Sequence, residues 1–237
     1  GGLVSSFAVH NGRMWTASGN YLCRLSADAT SWDKEILSPV PLRFLKVCNG
    51  LLYMTSSQDY NTALYMLDDA NDQIVQVCPS LGGYTFIAAL HVLNDYNNIT
   101  EEWVDSIYAV YSEVTAVTRY GFNGLPEWEV LIDTPVSDDH YASCVYGDTI
   151  YMAATHLGIY NYFYKLSGMR GDWDRIASSG GDPNVNNAIM AVHNERLYIC
   201  DYWGELYILR EDESGWDFYQ SSPSGYYYPK NLISYSG

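Results

Sequence analysis

The sequence predicts an all-β fold, a five-bladed β-propeller of four-stranded antiparallel blades, because two spacings recur along it. The first is a valine followed six residues later by an aromatic residue, across a short polar turn. It occurs at Val9–Trp15, Val47–Tyr53, Val145–Tyr151 and Val192–Tyr198, and with ten residues inserted at Val92–Tyr108. The second is a spacing of seven residues from the third strand to the fourth, at Leu25–Trp32, Leu67–Ile74, Leu166–Trp173 and Leu209–Trp216. It is eight residues at Tyr120–Trp128. A period of about 38 to 55 residues built from short apolar runs is typical of a propeller.

The second repeat shows how one blade is assembled. Its apolar runs predict four strands, at Leu42–Val47, Leu51–Thr55, Ala63–Leu67 and Ile74–Val77. Asn49-Gly50 separates the first two, and Asn-Gly between apolar runs favours a type I′ hairpin turn, in which both central residues have positive φ. The same position holds Asn11-Gly12, Gly147-Asp148 and, as the weakest of these turns, Asn194-Glu195.

The repeat continues along the chain without a linker, which predicts one domain over 1–237. The blades are expected at 5–41, 42–83, 84–139, 140–186 and 187–230. Residues 231–235 align with the first strands as an extra strand of that type. In a ring of five blades this segment competes with the N-terminal strand for one place, so the sequence is interpreted as a fragment of a longer protein.

Four predicted fourth strands begin with tryptophan and an acid, at Trp32-Asp33, Trp128-Glu129, Trp173-Asp174 and Trp216-Asp217. A large ring in a fixed position of an outer strand is expected to fill the space between blades. The turn from Ser26 to Trp32 resembles a shortened Asp-box, the hairpin motif of sialidase-like propellers, with Asp28 four residues before Trp32. Asp212 stands at the same spacing before Trp216. The resemblance covers these hairpins alone and implies a fold. The arginine triad and the catalytic tyrosine–glutamate pair of sialidases do not map onto this chain.

Composition limits the partners. Twelve basic residues against 28 acidic ones give a net charge of −16, without a basic cluster that would attract nucleic acid or an anionic membrane surface. The sequence contains no run of eighteen apolar residues, so membrane insertion is not predicted, and neither is a signal peptide.

The cysteines predict free thiols. The sequence has five, an odd number, and each falls in or at the end of a predicted strand without CxxC spacing: Cys23, Cys48, Cys78, Cys144 and Cys200. Free thiols favour a reducing compartment or virion assembly, although the compartment itself stays unknown.

Aromatic residues in the expected irregular loops are the candidate ligand-binding residues. In a propeller the connections between second and third strands and between blades share one face, and variable loops on a rigid scaffold usually carry binding. The candidates in these loops are Tyr60, Tyr160, Tyr162, Tyr202, Trp203 and Tyr227. Their rings suit a glycan or peptide surface, and the alternative is that they pack the loops against the rim.

Evidence for a metal or acid–base site is weak. His10 and His193 occupy one repeat position and are expected to serve the fold. His140, His156 and Asp138, with Asp139 adjacent, are expected on one face of one blade, but their spacing fits no known ligand motif. The acidic turns at 68–72 and 211–213 lack the ligand pattern of a calcium loop. No metal and no cofactor are therefore predicted.

The favoured function is a non-enzymatic binding module that engages a glycan or a protein through its variable loop face. The alternative is a structural domain of a larger assembly, a phage tail or a bacterial surface machine. A second alternative is a five-bladed glycoside hydrolase, which needs two carboxylates about 5–10 Å apart. The candidates for that pair are Asp133, Asp138, Asp182 and Asp201.

Overall fold

The computed structural model describes residues 4–56, 63–79, 86–97, 100–112, 117–121, 127–132, 138–156, 160–166, 173–176, 183–186 and 188–220. All regular structure in these ranges is β-strand, arranged as five sheets of four antiparallel strands. In every sheet the strands follow one another in sequence order, as hairpins require. The described ranges contain no helix long and apolar enough to cross a membrane.

The sheets are numbered in chain order. Sheet 1 contains β1 (Val4–His10), β2 (Arg13–Ser18), β3 (Tyr21–Leu25) and β4 (Trp32–Leu37). Sheet 2 contains β5 (Leu42–Cys48), β6 (Leu51–Ser56), β7 (Leu64–Asp68) and β8 (Gln73–Cys78). Sheet 3 contains β9 (Phe86–Asn97), β10 (Glu102–Ser112), β11 (Val117–Tyr120) and β12 (Trp128–Ile132). Sheet 4 contains β13 (Asp138–Tyr146), β14 (Thr149–His156), β15 (Tyr160–Leu166) and β16 (Trp173–Arg175). Sheet 5 contains β17 (Ile189–His193), β18 (Arg196–Cys200), β19 (Leu206–Leu209) and β20 (Trp216–Gln220).

These sheets confirm the predicted fold class and the repeat behind it. The recurring aromatic residue lies on the second strand of each sheet, at Trp15, Tyr53, Tyr108, Tyr151 and Tyr198. In the four sheets with six-residue spacing it pairs with the residue just before the valine: Ala8, Lys46, Cys144 and Ala191. The aromatic residues therefore occupy equivalent positions. β1 begins at Val4, one residue before the expected limit of its blade, and β13 begins at Asp138, two residues before 140.

The chain divides into two compact units, Gly1–Val110 with Thr118–Val130, and Tyr111–Val117 with Leu131–Gly237. In the first unit β1 lies beside β5 and β5 beside β9. A core of buried residues between sheets 1 and 2 includes Trp15, Leu45 and Met54. In the second unit β13 lies beside β17, and the core between sheets 4 and 5 includes Phe163, Ile199 and Trp216. First strands of successive sheets are thus neighbours within each unit, as in a propeller.

The first hairpin turn of sheets 1, 2 and 5 has positive φ at both central residues. Asn11 and Gly12 have φ of 49° and 68°, and Asn49 and Gly50 have 49° and 74°. Asn194 and Glu195 also have positive φ, 47° and 56°, although glutamate pays for this conformation in steric strain. The weakest predicted turn therefore forms like the stronger ones.

In sheets 1, 2 and 4 the residue before the first hairpin turn contacts the next sheet. The His10 Nε2 atom lies 2.7 Å from Asp69 Oδ2, and the buried imidazole thereby joins sheets 1 and 2. Cys48 Sγ lies 3.4 Å from the carbonyl oxygen of Asp105 in sheet 3. The Tyr146 hydroxyl donates to the carbonyl oxygen of Glu195 in sheet 5, at 2.9 Å. The expectation that this position serves the fold is confirmed for these three side chains.

Tryptophan in the fourth strand is buried in sheets 3 and 5 and exposed in sheet 1. Trp216 is 4% exposed and packs on Phe163 of sheet 4, with ring centroids 5.0 Å apart. Trp128 is also buried, against Tyr120, whose ring contacts Tyr53 of sheet 2. The prediction is wrong for Trp32, which is 43% exposed. The Trp173 side chain lies outside the described part of the structure.

In sheets 1, 3 and 5 the acid that follows the tryptophan forms an ion pair with an arginine on or next to the third strand. Arg24 Nε lies 3.2 Å from Asp33, Arg119 Nη2 2.7 Å from Glu129, and Arg210 Nε 2.7 Å from Asp217. These pairs cross the outer hairpin and fix its register. Asp33, Glu129 and Asp217 therefore have a structural role.

All five cysteines are free thiols, as predicted: Cys23, Cys48 and Cys78 are buried, and Cys144 and Cys200 are half-buried. Burial raises the pKa of Cys144 to about 12. Such a thiol stays protonated and unreactive at neutral pH.

The ten inserted residues of the third repeat form a strand extension. Asn94 to Ser106 is expected as an irregular connection, but β9 continues to Asn97 and β10 begins at Glu102. The Glu101 amide donates to the Asn97 carbonyl oxygen at 2.8 Å, which closes the turn. Residues 94–106 are called the hairpin arm below.

Candidate binding site at the loop between β18 and β19

The loop from Asp201 to Glu205 is ordered by the side chain of its first residue. Asp201 Oδ1 accepts hydrogen bonds from the amides of Trp203 and Glu205, at 2.8 and 2.9 Å. The Asp201 amide also donates to the Glu205 carbonyl oxygen at 2.9 Å, and Gly204 turns the chain at a φ of 78°. Aspartate commonly bonds the backbone two residues on, and glycine tolerates positive φ without strain. The sequence of the loop therefore specifies its shape.

The connection between sheets 4 and 5 fixes this loop to its neighbours. The Asn184 amide donates to Asp201 Oδ2 at 3.3 Å, and the Tyr202 amide donates to the Asn184 carbonyl oxygen at 3.0 Å. The next residue, Val185, is fully buried, and its amide donates to Asn161 Oδ1 on β15 at 3.4 Å. The loop is thus bonded through one short segment to the adjacent sheet.

The environment of Asp201 shifts the pKa of its carboxyl group. The side chain is 1% exposed, and burial raises its pKa above the usual range. The three backbone amides act in the opposite direction, and the nearby Glu205 carboxylate adds to the increase. A raised pKa can mark a general acid. Here both carboxylate oxygens already accept backbone hydrogen bonds, so the geometry is that of a structural anchor.

The loop presents an aromatic pair. The Trp203 side chain is 45% exposed, and the Tyr202 ring meets it edge-to-face, at 4.8 Å and 87°. The rim is polar, because Glu205 accepts a hydrogen bond from the Tyr207 hydroxyl at 2.7 Å and Asn184 lies beside the turn. An exposed indole with a polar rim can stack on an apolar ligand face while neighbouring groups bond its polar edges.

The other sequence-predicted site residues do not join this pair. Tyr160 and Tyr162 are expected in a loop, but both belong to β15, where they pair with His156 and Ala154. The loop assignment is wrong because Tyr160 to Tyr164 alternates in the period of a strand, with Phe163 buried on the other face. The Tyr162 ring lies 4.3 Å from the Arg175 guanidinium and 6.0 Å from Tyr164. Tyr60 and Tyr227 lie outside the described residues.

The weak metal candidates are only partly described. The backbone register pairs Asp138 with His156 and His140 with Ala154 at the ends of β13 and β14. The side chains of these residues lie outside the described part of the structure. Among the residues whose side chains are described, no group of three or more His, Cys, Asp or Glu could bind a metal ion.

A cavity of about 190 Å³ lies at the other end of sheet 5. It is lined by Tyr146, Glu195, Arg196, Leu209, Arg210, Glu211 and Glu213. Glu213 accepts hydrogen bonds from the Tyr151 hydroxyl and the Lys165 ammonium of sheet 4, and Arg210 pairs with Asp217. These contacts join neighbouring strands and sheets, so this end of the sheet is structural.

Sequence reasoning missed the residues that shape the loop. Asp201 was considered as a hydrolase carboxylate, and Asn184 was not considered. The signal was present, since an aspartate followed by aromatic residues and a glycine is typical of a side-chain-bonded turn. The partner Asn184 could not be found in this way, because it is distant in sequence and meets the loop only through folding.

Comparison with known proteins supports the fold. No family model and no curated protein matches the sequence. Among solved structures, the chain is similar to hydrazine synthase of Kuenenia stuttgartiensis, with a TM-score of 0.65, 15% identity, and coverage of 88% of this chain and 65% of that one. It is also similar to the extracellular domain of BT4673 from B. thetaiotaomicron, with a TM-score of 0.60, 10% identity, and coverage of 91% of this chain and 27% of that one.

The class of protein follows from the sheets and from these similarities. Both relatives are β-propeller-like, and five four-stranded antiparallel sheets define this chain as a β-propeller. The chain spans less than two thirds of either relative's length. At such identities the similarity shows the fold alone, because one fold carries many functions.

Proposed function

We propose that this β-propeller is a non-enzymatic binding module whose β18–β19 loop binds a glycan. The observation that carries the proposal is the exposed Trp203 indole on a loop whose backbone is fixed by the buried Asp201 carboxylate. A ring presented on an ordered loop loses little conformational freedom on binding, which favours affinity.

The chemistry of the loop favours a sugar over other ligands. The indole offers a flat apolar surface of the kind that stacks on the C–H face of a sugar ring, and Tyr202 supports it from the side. Glu205 and Asn184 supply hydrogen-bonding groups near the rim. The net charge of −16 disfavours polyanionic ligands and leaves neutral or cationic saccharides as the expected class.

The hydrolase alternative receives no support from Asp201, because both of its oxygens accept amide bonds. Asp133 and Asp182 lie outside the described residues, as does the side chain of Asp138. The assembly-domain alternative stays a prediction.

A glycan array tests the proposal. We expect the wild-type chain to bind a defined set of saccharides and the Trp203→Ala variant to lose at least about tenfold in affinity, as expected for loss of a central aromatic contact. Trp32→Ala is the matched control, since Trp32 is 43% exposed but lies on an outer strand of the other unit. Binding that is absent from the whole array, or equal in wild type and Trp203→Ala, contradicts the proposal.

A further inference from the structure

The hairpin arm of sheet 3 exposes a second aromatic pair. The Tyr96 and Trp103 rings meet across its two strands, with centroids 5.7 Å apart and planes at 62°. Two residues nearer the base, Asn94 Nδ2 donates to Asp105 Oδ1 at 2.9 Å. Alternate residues of a strand face the same side, so these two cross-strand pairs share one face of the arm. Trp103 on this face is 64% exposed.

The opposite face fastens the arm to its own sheet. Asp95 accepts a hydrogen bond from the Tyr108 hydroxyl and lies 3.6 Å from Arg119 Nη1. Burial raises the pKa of Tyr108, and the bond to Asp95 raises it further, so the phenol stays protonated and keeps donating. The buried Arg119 is also bonded to Glu129 on β12, which ties Asp95 to three of the four strands of the sheet.

The base of the arm is fastened to the preceding sheet. Asn49 Nδ2, in the β5–β6 turn, donates to the Asp105 carbonyl oxygen at 3.0 Å, and Cys48 Sγ lies 3.4 Å from the same atom. One face and the base of the arm are therefore fixed, while the face with Trp103 is open. Such a surface is preorganised for a partner.

The charge of the arm indicates the chemistry of that partner. Residues 94–106 contain four carboxylates, on Asp95, Glu101, Glu102 and Asp105, and no lysine or arginine. Glu101 and Asp105 stand two residues before and after Trp103, and both are exposed. An indole face beside carboxylates attracts an ammonium or guanidinium group through cation–π and ion-pair interactions. A second copy of the chain would be repelled, because each copy carries a net charge of −16.

We propose that the Trp103 face of the hairpin arm docks a protein segment rich in lysine or arginine, with one cation over the Trp103 indole and others paired with Glu101 and Asp105. The arm belongs to sheet 3 and the β18–β19 loop to sheet 5, and the two share no residue, so this proposal does not depend on the glycan proposal. It assigns the inserted residues of the third repeat a role in protein association.

Fluorescence anisotropy with labelled oligoarginine and oligolysine peptides tests the proposal. We expect the wild-type chain to bind both, with affinity that falls as salt rises, and not to bind fully acetylated oligolysine. Trp103→Ala and Glu101→Gln should each weaken binding by about threefold to thirtyfold, whereas Trp103→Phe keeps most of it because a ring remains. The matched control is Trp32→Ala with Glu35→Gln, which removes an exposed ring and an exposed carboxylate from β4.

The result that overturns the proposal is equally specific. If Trp103→Ala and Glu101→Gln bind like the wild type, the peptides respond only to overall charge. The same conclusion follows if the β4 control loses as much affinity as these variants. Equal binding of acetylated oligolysine would show that cations are not what the arm recognises. Loss of peptide binding in Trp203→Ala would place the site on the other loop and reject the arm.

Discussion

The two ends of sheet 5 use a carboxylate in opposite ways. At the hairpin end, Glu213 bonds to Tyr151 and Lys165 of sheet 4, and Trp216 is buried against Phe163. At the loop end, Asp201 accepts hydrogen bonds from three backbone amides, and Trp203 is 45% exposed. The comparison teaches that an acid bonded to neighbouring side chains joins sheets, whereas an acid bonded to amides shapes a loop that can present another residue.

The ionisation of the two carboxylates differs accordingly. Burial alone would raise the pKa of Glu213, but the bonds from Lys165 and Tyr151 outweigh it, so the pKa lies below its usual range. For Asp201 burial prevails over the amide bonds, and the pKa lies above the usual range. The fold therefore stabilises the charged form of Glu213 at one end of β19 and destabilises the charged form of Asp201 at the other.

The largest expected effect concerns the two tryptophans. Trp216→Ala should reduce the free energy of unfolding by about 3–5 kcal/mol, because it leaves a cavity beside Phe163. Trp203→Ala should change it by less than about 0.5 kcal/mol, since the ring is already exposed. Urea unfolding followed by circular dichroism measures both. Equal losses would mean that the loop end also serves packing, and the comparison would fail.

The next effect concerns the anchor of the loop. Asp201→Ala should cost about 2–3 kcal/mol, because it leaves the partly buried amides of Asn184, Trp203 and Glu205 without their acceptor. Asp201→Asn keeps one acceptor oxygen and should cost about 1 kcal/mol. Hydrogen exchange of the Trp203 and Glu205 amides should accelerate in the alanine variant. Unchanged exchange would show that Asp201 does not order the loop.

A smaller effect is expected at the hairpin end. Glu213→Gln should cost about 1 kcal/mol, because a half-buried ion pair is partly screened and glutamine can still bond Tyr151. Glu211→Gln, an exposed neighbour on the same turn, is the matched control and should leave the urea midpoint unchanged. A loss as large as that of Asp201→Ala would contradict the difference between the two ends.

The smallest effect is a difference in pH dependence. Because the pKa of Glu213 is lowered by folding, wild type should lose its stability advantage over Glu213→Gln as pH falls from above the unfolded pKa through the folded one. Because the pKa of Asp201 is raised, wild type should instead gain relative to Asp201→Asn as pH falls through the folded value. Urea midpoints measured between pH 3 and about pH 7, which includes the usual pKa values of carboxyl groups, test both expectations. If the two stability differences between wild type and variant change with pH in the same direction, the opposite pKa shifts of Glu213 and Asp201 are refuted.

The repeat made most of the fold predictable. Turn residues such as Asn49-Gly50 and the spacing to Tyr53 act locally, so sequence alone places strands like Leu51–Ser56 within one residue. The burial of Trp216 and the exposure of Trp32 are different, because they depend on which sheet lies beside each ring. The same tryptophan motif therefore has two outcomes that spacing cannot separate.

The candidate site was predictable only in part. Tyr202 and Trp203 are predicted as aromatic residues of an irregular loop between the second and third strands, and both lie in such a loop. Tyr162 lies on β15 and not in the predicted loop, because the alternating residues from Tyr160 to Tyr164 form a strand. The hydrogen bonds from Asn184 to Asp201 and from Asn49 to Asp105 join residues distant in the chain, so no local pattern indicates them.

The most direct test of the account is an NMR titration of the tryptophan indole N–H signals with the best saccharide from the array. The Trp203 signal is assigned as the peak missing from Trp203→Ala. The account predicts that this peak shifts first and most, while the buried Trp216 peak stays in place. A saccharide that shifts other indole peaks and leaves that of Trp203 unchanged would contradict the assignment of the β18–β19 loop as the binding site.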